Sequence, residues 1–345
     1  MNRLLEWLDR LQQRYPPLAL PIAVFKRFGE HGGGRLVTMI SYWSFFSIFP
    51  LMLVFVAVLD IVLKDDPELR QRLVDGALGQ VPVIGTQLND STHVLGGSWV
   101  TIAVGVAAAL WAGLGAANAL QSALDEVWDT PMFERPNGAV QRARSVLFLL
   151  VLAVGLTAST LASNATSFIG ANEITVVLGL LLTFVVNGLI LQATFWLLIS
   201  GRNSWRELLP GVVFAAAGLV LLQSLGRWVV RRYIAGASDT YGTFAIVIAL
   251  LSWFYLVSRV VLLGAELNAV LAHRLTPRSL VPSTQMTEAD RRAVLHDQRR
   301  VQRDRRIGVA VSIPGGEVSL HEGKPLAERA RSSRERTAKP DRPRR

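Results

Sequence analysis

YGTFAIVIALLSWFYLVSRVVLLGAELNA, residues 241–269, carries two formal charges, Arg259 and Glu266, in a run that is otherwise apolar and free of proline. At about 1.5 Å per residue, roughly twenty helical residues cross the ~30 Å hydrocarbon core of a bilayer. A helix apolar on every side has no face for water, so this run reads as a membrane span over about Phe244–His273.

Five more runs of the same kind lie upstream, at Leu36–Leu63, Trp99–Ala119, Ser145–Asn164, Ile174–Ser200 and Leu208–Val230. Lipid offers no partner to an open backbone group, so such spans form helices. The expected fold is therefore all-α, a polytopic membrane protein built as a bundle of six transmembrane helices. Interfacial amphipathic helices are expected beside it. Leu4, Leu8, Leu11 and Tyr15 share one helical face opposite Arg3, Arg10 and Arg14, and the prolines at 16, 17 and 21 are expected to end that helix. A second candidate starts at Asp66-Pro67-Glu68 and carries Leu69, Leu73 and Leu78. No cleavage site follows the N-terminal helix, so a removable signal is not expected.

Composition agrees. Of 345 residues, 51% are hydrophobic and 18% charged, and the mean hydropathy is +0.35. Too little charge is present to cover a soluble surface. The absence of cysteine excludes disulfides and thiolate metal sites. Residues 273–345 hold 18 of the 36 basic residues and 9 of the 26 acidic ones, which is +9 of the net +10. The high charge belongs to a tail, and the expected domains are an arm over 1–35, a transmembrane domain over 36–273 and a tail over 274–345. Few large apolar residues occur in the tail, so it reads as mostly disordered, with a transient polar helix over 288–306. Its basic residues suit anionic lipid. The basic arm together with Arg274 and Arg278 places both termini in the cytoplasm, against a milder opposing signal from Arg227, Arg231 and Arg232.

Three stretches carry a resemblance: SYWSFFSIFPLML (41–53), WAGLGAANALQSALDEVWDTP (111–131) and the 241–269 run. In order and spacing they resemble the YihY / virulence-factor BrkB family of inner-membrane proteins, over roughly residues 20–273. The resemblance implies six helices, both ends cytoplasmic and a place in the bacterial inner membrane. It also implies no established activity: transport or export is the usual suggestion, and an older ribonuclease BN label is regarded as a mistake. The loop between the first two spans and the basic tail depart from the family and inherit nothing from it.

Polar residues inside the spans are the candidate site. Ser41, Ser44 and Ser47 recur every three residues ahead of Pro50, which removes a backbone donor and crowds the Phe46 carbonyl. They form either a packing face with a kink or a broken helix lining a cavity. Asn118, Gln121 and Asp125 share one face of the second span, and either cap the bundle or gate a cavity. In the last span Arg259 and Glu266 stand two turns apart, with Ser252 and Tyr255 on or near that face and Asn268 beyond. Each charge is expected to pair with another helix, Glu266 and Asn268 being close enough to the end to snorkel. Asn187, Gln192 and Gln223 read as interhelical hydrogen-bonding groups. The histidines show no ligand spacing, and Gly32-Gly33-Gly34 reads as a flexible entry to the first span. No metal, no cofactor and no enzyme activity are expected.

The leading function is transport or export of an unidentified solute through a cavity among spans one, two and six. The alternative is a non-transporting scaffold or lipid-organising protein, and a nuclease is a distant third. The partners expected are the bilayer, anionic lipid and a small solute, with no nucleic acid. Reporter fusions after His31, Gly201 and Arg278 are predicted to report cytoplasm, and fusions within 65–95 and 233–240 the outside. An external signal after Arg278 would overturn the six-span topology.

Overall fold

The structure, a computed structural model, describes residues 12, 16–62, 68, 99–167, 173–201, 204–229, 238–279, 287–300, 310–313 and 316–319. In chain order these form α1 (Pro16–Glu30), α2 (Gly33–Val62), α3 (Trp99–Val127), α4 (Gly138–Ser167), α5 (Glu173–Leu198), α6 (Leu209–Val229), α7 (Ser238–Ala272) and α8 (Glu288–Arg300). A two-stranded antiparallel hairpin follows, β1 (Ala310–Ile313) and β2 (Gly316–Ser319), with Ala310 opposite Ser319. The described residues are thus helical but for this hairpin, a departure from the all-α expectation confined to the tail.

Two compact units divide the chain. One comprises 24–128 and 136–272, the other 1–23, 129–135 and 273–345.

In the larger unit, α2 to α7 stand on the six expected runs. Each packs on the next in sequence, and α2 closes the ring on α7, with α3 also touching α5 and α7. Among the described residues, four of these helices hold stretches long and apolar enough to cross a membrane: Gly138–Gly155, Val177–Leu198, Leu209–Gly226 and Val247–Ala272. At most 28% of any such stretch is buried. Leu147, Leu150 and Val154 on α4, Leu181, Val185 and Leu189 on α5, and Val213, Phe214 and Leu221 on α6 turn outward. So much exposed hydrocarbon suits lipid rather than water. The chain is a membrane protein. At 30 and 29 residues, α2 and α3 are also long enough to cross.

Small residues set the closest contacts. A Cβ on Gly211 would collide with the Gly264 carbonyl oxygen, and one on Gly264 would come within 2.6 Å of the Gly211 oxygen and 2.9 Å of Ala215 Cβ. The backbones of α6 and α7 therefore touch, as small residues allow in lipid. Between α2 and α3, the Trp43 ring fills the space over Gly115 and meets Trp111 edge-on at 5.6 Å between centroids.

Several expectations change. Pro16 and Pro17 stand at the start of α1, where first-turn positions need no N–H donor, and Pro21, expected to help end a helix, is carried inside one. The glycine triplet is a defined corner: Gly32, at φ 63°, follows the last turn of α1, the Arg35 N–H donates to the Gly32 carbonyl, and Gly33 has the Phe28 ring against it. α2 runs unbroken through Pro50, with no helix break at that point. α3 extends eight residues beyond Ala119, to Val127. The proposed helices at 4–15 and 66–78 lie outside the described residues, apart from Gln12 and a helical Glu68.

In the smaller unit the tail has a helix with a core. α8 buries Ala289, Asp290, Ala293 and Leu295. Thr287 caps it: the Asp290 N–H donates to Thr287 Oγ1 at 3.1 Å, and the Thr287 N–H to Asp290 Oδ2 at 3.4 Å. The transient polar helix expected over 288–306 is a capped, part-buried helix over 288–300. Its stability comes from specific caps and ion pairs, which average composition does not register.

Gly211→Ala is predicted to destabilise the detergent-purified protein by roughly 1–3 kcal/mol, through overpacking against a backbone atom that cannot yield. Gly34→Ala, where nothing lies within 4 Å of the new methyl, serves as the control and should not lower the melting temperature. Equal behaviour of the two variants would refute the backbone contact.

Candidate functional site

Glu266, near the end of α7, has no exposed side-chain surface. An ionised carboxylate there must be matched by positive charge. The match comes from the last turn of α1. His31 Nδ1 lies 2.7 Å from Glu266 Oε1, and Arg27 Nε lies 3.6 Å from Oε2, with side chains 4% and 2% exposed. With Glu266 as carboxylate, the His31 ring nitrogen carries the proton and donates it. The two basic residues are four apart, and the His31 N–H still bonds the Arg27 carbonyl at 2.9 Å, so one helical face presents both. They also sit at a helix C-terminus, where the macrodipole favours cations. The corner at Gly32 then releases the chain into α2.

Glu266 pairs with another helix and does not snorkel. Arg259, on the same face of α7, is exposed, and its guanidinium stacks 5.7 Å from the Phe28 ring centroid. Its pairing is therefore with an aromatic face of α1 and not with a buried countercharge. Ser252 is exposed and Tyr255 half-buried beside it.

Asn268 is fully buried. Its Oδ1 accepts from the Gly211 N–H at 2.6 Å, and its Nδ2 donates to the Leu208 carbonyl at 2.9 Å. Those two bonds fix the start of α6 against α7: one satisfies the Gly211 N–H, which the helix N-terminus leaves open, and the other adds to a Leu208 carbonyl that already accepts the Val212 N–H.

The α3 residues separate. Asn118 Oδ1 accepts from Ser145 Oγ at 3.0 Å, joining α3 to α4. Asp125 Oδ1 accepts the Ser200 N–H at 3.2 Å, just beyond α5. Gln121, between them on the helix, is 0% exposed, and neither end of its amide has a hydrogen-bond partner among the described residues.

The serines of α2 bond mostly to their own helix. Ser41 Oγ donates to the Val37 carbonyl at 2.6 Å and Ser47 Oγ to the Ser44 carbonyl at 2.9 Å, while Ser44 and Pro50 are half-buried. Asn187 Nδ2 reaches Gln223 Oε1 at 3.5 Å across α5 and α6, and Gln192 donates to the Trp205 carbonyl at 3.0 Å. The expected residues therefore do not make one site. Glu266 and Asn268 anchor one end of α7, Gln121 is a separate buried group, and the serines belong to helix packing.

Arg27 and His31 are the site residues that sequence reasoning missed. Their signal was present, a basic pair one turn apart directly ahead of a glycine corner, yet it lay upstream of the apolar run and was assigned to the arm. Among the described residues, one group has the composition of a metal site, Asp129, His273 and His296 in the smaller unit. It comes from three separated segments, so no ligand spacing shows in the sequence.

Comparison with known proteins places these features in a family. The chain is 26% identical to YfkH of Bacillus subtilis (strain 168), whose name describes it as ribonuclease-like, over 73% of this chain and 94% of that protein. It is 25% identical to the inner membrane protein YhjD of Escherichia coli (strain K12), over 77% and 85%. With the UPF0761 membrane protein Mpe_A1422 of Methylibium petroleiphilum it shares 29% identity, over 76% of this chain and 62% of that one. No solved structure matches. The profile described as Virulence factor BrkB matches residues 24–288, which span every group of the larger unit described above, and the chain belongs to that family of membrane proteins.

Proposed function

We propose that this protein is a six-span bacterial inner-membrane transporter or exporter of a small solute, with both termini in the cytoplasm. It is proposed to act without enzymatic chemistry; the nuclease alternative has only an inherited name behind it. The observation that carries the transport reading is Gln121. A fully buried amide without a partner among the described residues costs free energy unless something polar meets it. Water or solute passing between α3 and its neighbours α2, α5 and α7 would supply that partner. Glu266, held by Arg27 and His31, supplies an ionisable group in the same bundle, the kind of residue that in membrane helices marks ion and substrate paths.

A second reading, a non-transporting scaffold, is favoured by a different observation. Ser41, Ser47, Asn118, Asp125 and Asn268 all bond to backbone or to a neighbouring helix, so they need no solute to explain them.

Gln121→Leu separates the two. Removing an unmatched buried amide is neutral or stabilising in itself. In the transport reading, solute flux in reconstituted vesicles, screened against a metabolite panel, falls at least tenfold while thermal stability is kept. Unchanged flux with unchanged stability would favour the scaffold.

A second prediction concerns the ion cluster. Glu266→Ala leaves Arg27 buried without its carboxylate and should cost about 3–5 kcal/mol. Glu266→Leu combined with Arg27→Met should recover most of that loss, measured as a double-mutant cycle on thermal unfolding. Simple additivity of the two changes would show that Arg27 and Glu266 are not energetically coupled.

A further inference from the structure

Asp129, His273 and His296 belong to the smaller unit, and none of them is invoked for transport. Asp129 follows α3 in a left-handed conformation, φ 48°, and is 3% exposed. His273 sits in the turn after α7, and His296 on the third turn of α8. One ligand-capable atom from each lies within 4.8 Å of the other two. The two imidazoles are stacked, centroids 4.1 Å apart and planes 14° from parallel.

The surroundings hold this convergence in place. Arg278 Nε donates to Asp290 Oδ1 at 2.8 Å in a buried ion pair, and the Ser279 N–H donates to Asp290 Oδ2 at 3.0 Å. Thr287 Oγ1 donates to the Pro277 carbonyl at 3.1 Å. These bonds pin the start of α8 to the segment that leaves His273, so His296, on the third turn of the helix, returns to His273. Gln12 donates to the Arg278 carbonyl from the N-terminal side. Farther along α8, Arg299 reaches Glu134 at 3.5 Å, in the turn that begins with Asp129.

We propose that Asp129, His273 and His296 bind one divalent transition-metal ion of the zinc class, clamping α8 to the 129–135 turn. Two imidazoles and one carboxylate make a borderline donor set that suits Zn²⁺, Co²⁺ or Ni²⁺ better than Ca²⁺ or Mg²⁺, which take oxygen ligands. Bonds near 2.0–2.1 Å put tetrahedral ligand atoms roughly 3.3 Å apart. Closing the present spread, within 4.8 Å, requires the two rings to rotate out of their stack. The carboxylate binds as an anion and each imidazole as a neutral ring, so protons compete with the metal and affinity should fall as pH is lowered. Water completes the fourth position. The site ties three stretches that are distant in sequence, and its effect is to fix the tail helix.

The test uses the full chain, purified in detergent with any affinity tag removed and stripped with chelator. Titration with Co²⁺ should give the visible d–d absorption of a nitrogen- and oxygen-ligated ion, saturating at one equivalent, and Zn²⁺ should displace it. His296→Asn, His273→Asn and Asp129→Asn should each weaken binding roughly 100-fold, since even outer partners of a metal ligand cost about 10–100-fold. His93→Asn and His321→Asn should bind as the parent does. Metal should raise the melting temperature of the parent and slow trypsin cleavage at Arg299 and Arg300, and should do neither in His296→Asn. Melting temperatures in chelator, compared across the variants, show whether each still folds. The proposal fails if the stripped parent binds neither Co²⁺ nor Zn²⁺ below about millimolar concentration, or if binding persists undiminished in folded His296→Asn. The triad would then be a carboxylate beside two stacked imidazoles and nothing more.

Discussion

A carboxylate without any contact to water, at the end of a helix in an apolar bundle, has to be neutralised where it stands. Glu266 sets that requirement, and the short helix before the first long one answers it with Arg27 and His31. The entry of the chain into the bundle follows from this pairing. α1 must end at a particular height on α7, its last turn must present two basic residues to one side, and the backbone must then reverse at once, which Gly32 permits. Phe28, from the same turn, lies under the exposed Arg259 guanidinium two turns earlier on α7. One face of α7 therefore reads one helical turn of α1 through a buried ion pair at one point and an aromatic contact at the other.

Most polar groups of the larger unit follow the rule that governs backbone in lipid, that open groups find partners, while Gln192 Oε1 and Ser200 Oγ have none among the described residues and Gln121 lacks one at both ends of its amide. Hydroxyls in α2 bond to carbonyls of their own helix, Asn268 closes the start of α6, and Asp125 takes the N–H just after α5. Against this background Gln121 stands out by contrast, and the contrast gives it functional weight.

The six apolar runs were readable because hydrophobic length is a local property, and α2 to α7 stand on them to within a few residues, save for the longer ends of α3, α4 and α7. The smaller features were not readable for a common reason: each depends on partners far away in the chain. His31 looked like a lone histidine until α7 brought Glu266 to it. Asp129, His273 and His296 have no spacing to detect. Arg259 looked like the most costly charge of all, because depth along a span was visible in the sequence while its aromatic neighbour on α1 was not. The first part of the tail, up to Arg300, misled in the opposite direction. Its composition suggested disorder, but Thr287, Asp290 and Arg278 make a specific lock that an average over seventy residues conceals.

The contact between Gly211 and Gly264 has a mechanical consequence. Where two helices meet through side chains, rotamer changes let one slide on the other. Here α6 and α7 meet backbone to backbone, and Asn268 adds two hydrogen bonds across the same crossing. No compliant layer separates them, so the pair behaves as a single stiff strut. Any rearrangement of the bundle must then be taken up at seams lined by side chains, such as Trp43 over Gly115 or the ionic contact of α1 with α7. The backbone contact with α6 lies along α7, which makes that helix the fixed reference for any such rearrangement.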